Sequence, residues 1–347
     1  MATADVTVMG AGAFGLAVAY ACAARGARVR VIEKRRVGAG SSGGLVGALA
    51  PHVPENWNDK KAFQFESLVM AEEFWAGVAA AGGVSPGYGR VGRLQPIPDD
   101  RALELARARQ HSAAELWQGK AAWRVVPAGD FADWVPQSPT GWLIHDTLSA
   151  RMHPRRACDA LAAALQALGG EIVLGEGRAE GQVVWATGYE GLLALSEELG
   201  RPVGNGVKGQ AMLLDFDARD KPQLYADALH IVPHADGTVA IGSTSEREFD
   251  APDKTDAQLD EIHARALAAF PVLEGAHVLE RWAGVRPRAK SRAPMLGPWP
   301  GRPGHFIANG GFKIGFGMAP KVGQVMADLL LEGRDAIPDG FRVEASL

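Results

Sequence analysis

Cysteine is nearly absent from this chain: only Cys22 and Cys158 occur in 347 residues. Two thiols cannot build a disulfide framework or a cysteine metal cluster. Both lie in alanine-rich segments that read as helices, so buried free thiols are expected. Long apolar runs are missing as well. No stretch reaches the roughly 18 consecutive apolar residues of a membrane span. The start, Met1-Ala2-Thr3-Ala4-Asp5, leads almost directly into a strand, without the basic region and apolar core of a secretory signal. The expectation is a cytoplasmic protein. Excess positive charge is also lacking. A net charge of -4 and a pI near 6.2 give no whole-protein attraction to nucleic acid or acidic membrane, which argues against nucleic acid as a partner. His230 and His234 stand four apart on a strand and turn, a spacing that builds a one-face ligand pair only on a helix, so no metal site is expected.

What the chain does contain is glycine, 43 residues of it, within an ordinary globular composition of 47% hydrophobic and 22% charged residues. The length allows one or two domains. The first 33 residues read as strand ("DVTVMG"), helix (Ala13 to Arg25), a Gly26 break and a second strand ("RVRVIE"). Gly10-Ala11-Gly12-Ala13-Phe14-Gly15 falls at the strand-to-helix junction. There Gly10 permits a tight turn, Gly12 lets backbone approach a pyrophosphate, and Gly15 lets helix and strand pack closely. Glu33, 18 residues after Gly15, ends the second strand, placed to accept hydrogen bonds from an adenosine ribose. Strand, turn, helix and acid together define a site for an adenine dinucleotide; FAD and NAD are not separated by them.

Further along, apolar spacing predicts a helix over Lys60 to Ala81, ended by Gly82-Gly83. Val84 to Ile144 is rich in Pro, Gly and Trp and shows one helix, Arg101 to Leu116, so it reads as an inserted piece. Pro154 to Leu168, Gly169-Gly170 and "EIVL" repeat the opening pattern. Strand-like segments "QAMLLDF", "LHIVPH" and "TVAIGS" follow, with one helix over Asp256 to Ala269. The chain closes on "HFIANGG" and a helix from about Met318 to Leu331. No internal repeat or flexible linker is visible, so the chain is expected to pass between domains several times.

Several segments then fall in a recognisable order: "SSGGLVGALAP" after the acid, "ATG" at 186–188, "LHIVPHADGTVAIGSTSE", "WAGVRPRAKSRAPMLGP" and "HFIANGGFKIGFGMAPKVGQVMADLL". Together they resemble the FAD-dependent amine oxidoreductases of the D-amino acid oxidase superfamily, the glycine oxidase-like members above all. The resemblance spans nearly the whole chain. It implies an α/β fold: a discontinuous Rossmann-like FAD-binding domain (1–81, 145–204 and 286–347) with a parallel sheet and helices, and a substrate-binding domain (82–144 and 205–285) on a mixed or antiparallel sheet.

The same resemblance implies FAD contacts at Gly10, Gly12, Ala13, Phe14, Gly15, Glu33 and Lys34. Others fall at Ser41 and Ser42, at Ala186, Thr187 and Gly188, and at Gly310, Gly311, Phe312, Lys313, Ile314 and Gly315. Arg286 takes the position whose arginine grips a substrate carboxylate, a role suited to a planar, permanently charged fork. His230 stands where relatives often carry a tyrosine. It is read equally as a hydrogen-bond donor, as a proton acceptor with a free pKa near about 6.5, or as an ordinary strand histidine. Lys313 replaces an arginine near flavin and substrate, keeping the charge without the fork. Leu45 matches an apolar position of the substrate pocket. Ser291-Arg292 departs from the Asp-Gly of relatives and leaves four basic residues in the seven from Arg286 to Arg292, either a solvated loop or a contact for extra negative charge. Relatives that bind flavin covalently use a cysteine in the C-terminal half. None follows Cys158, so the FAD is expected to be non-covalent.

The chemistry implied is oxidation of a small amino acid or N-substituted glycine, a carboxylate-bearing amine, by hydride transfer to flavin N5, with oxygen or an unidentified acceptor reoxidising the flavin. Alternative readings are oxidative trimming of carboxymethylaminomethyl-uridine in tRNA, a non-catalytic flavoprotein or electron-transfer subunit, and an NAD-dependent dehydrogenase. "NGGFKIGFGMAP" lacks the Gly-Lys-Ser/Thr ending of a phosphate loop, so it is read as the far end of the same FAD site rather than a second nucleotide site.

Overall fold

A computed structural model describes residues 4–131 and 133–347. The chain opens with β1 (Val6–Met9), α1 (Ala13–Ala23) and β2 (Val29–Glu33), followed by the short β3 (Ala48–Leu49) and the long α2 (Asp59–Gly82). It continues through β4 (Arg93–Pro96), α3 (Asp100–Leu116), β5 (Trp123–Pro127), β6 (Trp142–Asp146) and β7 (Ala150–Arg151). Then come α4 (Pro154–Ala167), β8 (Glu171–Leu174), β9 (Gln182–Trp185) and α5 (Gly188–Glu198). The sequence β10 (Gly204–Asp215), β11 (Gln223–Ala226), β12 (Leu229–Pro233), β13 (Thr238–Gly242) and α6 (Ala257–Ala269) leads to β14 (His277–Ala289). The last elements are β15 (Met295–Pro298), β16 (His305–Asn309) and α7 (Gly315–Glu332).

These strands form two large sheets. The first has six strands in the order β15-β16-β9-β1-β2-β8, parallel throughout except for the antiparallel edge pair β15/β16. A parallel sheet is covered on both faces, and α1 shows the consequence: it is small and apolar all round and nearly every residue is buried. α7 crosses α1 at Gly323, where a Cβ would stand 2.8 Å from the Ala17 carbonyl oxygen. The second sheet has eight strands, β14-β10-β13-β12-β11-β4-β6-β5, antiparallel except for β11/β4. Its core, built on Leu214, Leu224, Ile231, Ile241 and Phe270, packs α6 onto the sheet.

The structure adds detail to the sequence reading at three places. The inserted piece, read from the sequence with one helix, also supplies β4, β5 and β6 to the second sheet. They are short, carry Trp or Pro, and β5 lacks clean alternation of buried and exposed residues, so no period-two signal marks it. The last helix starts at Gly315, one turn before Met318, with Pro320 inside it; two glycines and a proline hide this start from any propensity argument. The expected exchange points at 145 and 286 fall inside β6 and β14, which run through them unbroken in the second sheet. Among the described residues no helix is long and apolar enough to cross a membrane, and no metal-binding cluster of His, Cys, Asp and Glu forms.

Replacing Gly323 by valine forces α7 away from α1. It is expected to destabilise the fold by about 2 kcal/mol, as overpacking of a close contact does, read as a lower urea midpoint with unchanged slope.

Candidate active site

A cleft of about 690 Å³ runs along the carboxyl ends of the parallel strands, where ligands of open α/β sheets bind. Its first end is the β1–α1 turn. Gly10 has φ +105, and a Cβ there would stand 2.6 Å from the Ala186 carbonyl oxygen. A Cβ on Gly15 would collide with the Gly10 carbonyl, so these two glycines allow the turn, helix and β9 to meet. Gly12 caps α1 without a side chain, and the Ser42 hydroxyl reaches over to accept from the Ala13 N–H at 2.9 Å. Glu33 is fixed by the same turn: its carboxylate accepts from the Ala11 N–H at 2.9 Å and the Arg35 N–H at 3.0 Å.

The residues expected around the cofactor are brought together along this cleft. Gly10, Gly12, Ala13, Phe14, Glu33, Lys34, Ser41 and Ser42 line the first half, and Ala186, Thr187 and Gly188 the middle. Gly311, Phe312 and Gly315 line the far end. Gly15, Gly310, Lys313 and Ile314 do not line it. Gly15 packs beneath the turn, Gly310 turns the chain at φ +75, and Ile314 caps α7. Several lining residues carried no sequence signal, among them Val285, Pro287, Trp299 and Arg302. Asn309 is another silent participant: its side chain donates to the Gly188 carbonyl and accepts from the Gly310 N–H, each at 2.8 Å, tying the two Gly segments together.

Beyond the far end, the second sheet presents a cluster of cations. Arg286, only 9% exposed, projects from β14 over Gly209 of the neighbouring β10, where any Cβ would run into the guanidinium. Its Nη2 donates to the Ser243 Oγ at 2.6 Å and its Nη1 to the Thr244 carbonyl at 3.3 Å. Burial lowers its pKa to about 10, so it stays charged at neutral pH. The nearest acid, Glu246, is already engaged by Lys208 at 3.2 Å and by Gln210 at 3.0 Å. Arg286 thus keeps a buried positive charge with neutral oxygens for partners. Lys313 lies close by; desolvation, then the charges of Arg286 and Arg288, lower its pKa.

His230 on β12 faces the same cluster. Burial, then Arg93, Lys313 and Arg286, push its pKa down to about 3, and its Nδ1 has no partner. At neutral pH it is an uncharged ring and a weak base in the free protein. Tyr225 stands opposite His230 across the β11/β12 pair, with ring centroids 4.6 Å apart. No motif marks Tyr225; only the strand register brings it here. Leu45 is 1% exposed and sits in a small apolar cluster with Ala211, Leu213 and Ala240, while its carbonyl meets the His234 ring nitrogen at 2.9 Å.

The fold and cleft define a two-sheet α/β protein with a dinucleotide-binding turn at the head of its cleft. Compared with protein families, the chain matches the one described as FAD dependent oxidoreductase over residues 5–329, and it belongs to that family. It is 29% identical to glycine oxidase of Pseudomonas putida, over 94% of each chain, and 28% identical to glycine oxidase of Pseudomonas aeruginosa, over 96% of each. Among solved structures it resembles glycine oxidase of Bacillus cereus (TM-score 0.82, 21% identity, 96% of each chain). It also resembles iminodiacetate oxidase of Chelativorans sp. BNC1 (TM-score 0.83, 19% identity, 97% of this chain and 98% of that one). At such identities the structural likeness speaks for the fold. The protein is an FAD-dependent enzyme, and the glycine-built cradle and acid-ended strand fit its cofactor.

Two outcomes are expected. Gly15→Ala displaces the turn and weakens FAD binding by about tenfold or more, the order of a 1.4 kcal/mol loss, measured as flavin retained after gel filtration. His230 binds a proton far more weakly folded than unfolded. Stability is therefore unaffected above about pH 6.5 and falls as pH drops toward 3. His230→Gln is expected to flatten that acid slope in thermal melts between pH 4 and 7, with no change in slope above pH 7.

Proposed function

We propose that this protein oxidises the amine of a small amino acid or an N-substituted glycine to the imine, which water then hydrolyses. FAD, when bound, supplies the two-electron acceptor. The observation that carries the reading is Arg286: a buried guanidinium without a carboxylate partner, set between the cleft-lining Val285 and Pro287, with two donors held by Ser243 and Thr244 and three N–H groups left over. A substrate carboxylate satisfies it with two parallel charge-assisted hydrogen bonds. That contact fixes the α-carbon's orientation, which is the protein's main contribution to a hydride transfer. Lys313 adds positive potential beside the same group, and neutral His230 offers a ring nitrogen to substrate. Once an anion occupies the cluster, the field that depresses His230 weakens.

The cofactor reading extends to its mode of attachment. We take FAD to be non-covalent, supported by the two thiols: Cys22 and Cys158 are buried, burial raises both to about 12, and neither lines the cleft. The isoalloxazine end is assigned to Gly311, Phe312 and Gly315. There the first turn of α7 directs unpaired N–H groups and the positive end of its dipole toward the cleft, favouring negative charge on a reduced ring. The P. putida and P. aeruginosa relatives, named for oxidation of glycine, support a small amino-acid substrate. Oxygen or another acceptor then takes the electrons.

Anaerobic bleaching of the yellow flavin by glycine, sarcosine, iminodiacetate and D-amino acids tests the reaction. Arg286→Leu is expected to raise the substrate concentration for half-maximal bleaching about 100-fold or more, the order expected when a charged bidentate contact is lost. Unchanged bleaching at low substrate would sink the carboxylate role.

A further inference from the structure

Of the four cations between Arg286 and Arg292, the reading above uses only the first. The other three, with Arg247, line a second, open cavity of about 430 Å³ together with Pro202, Gly204, Asn205 and Ala289. On β14 Arg288 follows Arg286 on one face, while Val285 and Pro287 face the flavin cleft; Lys290 lies just past the strand's end at Ala289. Beyond the strand the chain turns. The Arg292 N–H donates to the Ala289 carbonyl at 3.0 Å, and Arg292 adopts φ +60, a left-handed state that side chains disfavour. The turn keeps Arg292 at the same cavity as Arg288 and Lys290. Strained backbone of this sort points to a functional demand.

The electrostatics are one-sided. Elsewhere arginines pair closely with acids, as Arg109 does with Glu55 and Arg155 with Glu280, both at 2.6 Å. Among the described residues no Asp or Glu lies within ion-pair distance of Arg247, Arg288 or Arg292, whereas Lys290 donates at 2.8 Å to an oxygen of the terminal Leu347. Lys60 adds to the imbalance by donating to the Arg292 carbonyl. The cavity also adjoins the catalytic end. The Arg288 guanidinium lies 5.4 Å from the centroid of Phe312, and the Lys313 ammonium 5.7 Å from the same ring, which itself lines the flavin cleft. Two residues of strand separate Arg286 from Arg288, a span of about 7 Å. Long side chains readily adapt that span to the two acid groups of a small dicarboxylate.

We propose that Arg247, Arg288, Lys290 and Arg292 form a second anion pocket that holds an oxyanion, carboxylate or phosphate, borne by the substrate at the far side of its amine. The preferred substrate is then an amine with two acidic groups, one on Arg286 and one here. This rests on the amine-oxidation reading and narrows it.

The holoenzyme, Arg288→Ala and the exposed Arg247→Ala are compared by anaerobic bleaching with sarcosine, one carboxylate, and iminodiacetate, two. The ratio of the second-order rate constants for flavin reduction, iminodiacetate over sarcosine, is expected to be about tenfold or more in the parent and to fall about tenfold in each variant, the scale of one charged hydrogen bond. Inorganic phosphate should also raise the melting temperature of the parent more than that of either variant. A ratio unchanged in both variants, with phosphate stabilisation unchanged as well, overturns the proposal. Phosphate stabilisation lost in the variants with an unchanged ratio overturns the substrate assignment and makes the ligand a free ion. If neither amine bleaches the parent, the oxidation reading fails on its own, and a phosphate response equal in parent and variants would then sink the pocket.

Discussion

The alternation of side chains along β14 is the constraint on which the active end of this protein depends. One strand separates two environments only a strand's thickness apart. Val285 and Pro287 give the flavin cleft an apolar wall, and between them Arg286 points to the opposite face. A shift of one residue in register would exchange the two sets, placing a guanidinium against the cofactor and burying valine among polar groups. The long antiparallel pairing of β14 with β10, from Gly204/Ala289 to Asp215/His277, holds that register. Gly209 supplies the room the guanidinium needs.

Charge compensation distinguishes structural cations from the reactive one. Arg93, 6% exposed, is paired with the fully buried Asp146 at 3.0 Å, and that acid also accepts from the Ser149 N–H at 2.8 Å. Lys208 is held between Glu246 and Asp256 at 3.2 and 3.4 Å. Each of these ions has its counter-charge within the fold, the condition under which burial is tolerated. Arg286 does not, and its carbonyl and hydroxyl partners satisfy hydrogen bonds without neutralising charge. Arg151, equally buried, is likewise bonded to main-chain carbonyls, those of Arg219 and Pro233, so what sets Arg286 apart is its place on the strand that walls the cleft.

What the sequence made legible follows from how local each feature is. The opening turn, helix and acid occupy 24 consecutive residues from Gly10 to Glu33, and their physics is contained in that stretch. The glycines therefore announced the cleft directly. The second sheet is a different matter. β4, β5 and β6 are short strands from one part of the chain that complete a sheet begun elsewhere; β4 pairs with β11, more than 120 residues on. Their burial depends on partners that no local period reveals. Tyr225 and Asn309 illustrate the same limit at the site: one enters by cross-strand register with His230, the other by a side-chain bond to Gly188. Pro320 misled for a related reason, since helix propensity disfavours it but the packed surroundings of α7 override propensity.

The state of His230 shows how one arrangement governs both binding and protonation. Its ring is depressed by burial and by three cations, two of which, Arg286 and Lys313, are the ones an anionic substrate would neutralise. Free protein therefore presents a neutral nitrogen that can accept a hydrogen bond from an ammonium or amine without competing for its proton. Because the same field attracts the carboxylate and suppresses the imidazolium, a substrate carboxylate and a protonated His230 are thermodynamically linked: each favours the other. An anion bound among these cations would therefore ease the protonation of His230.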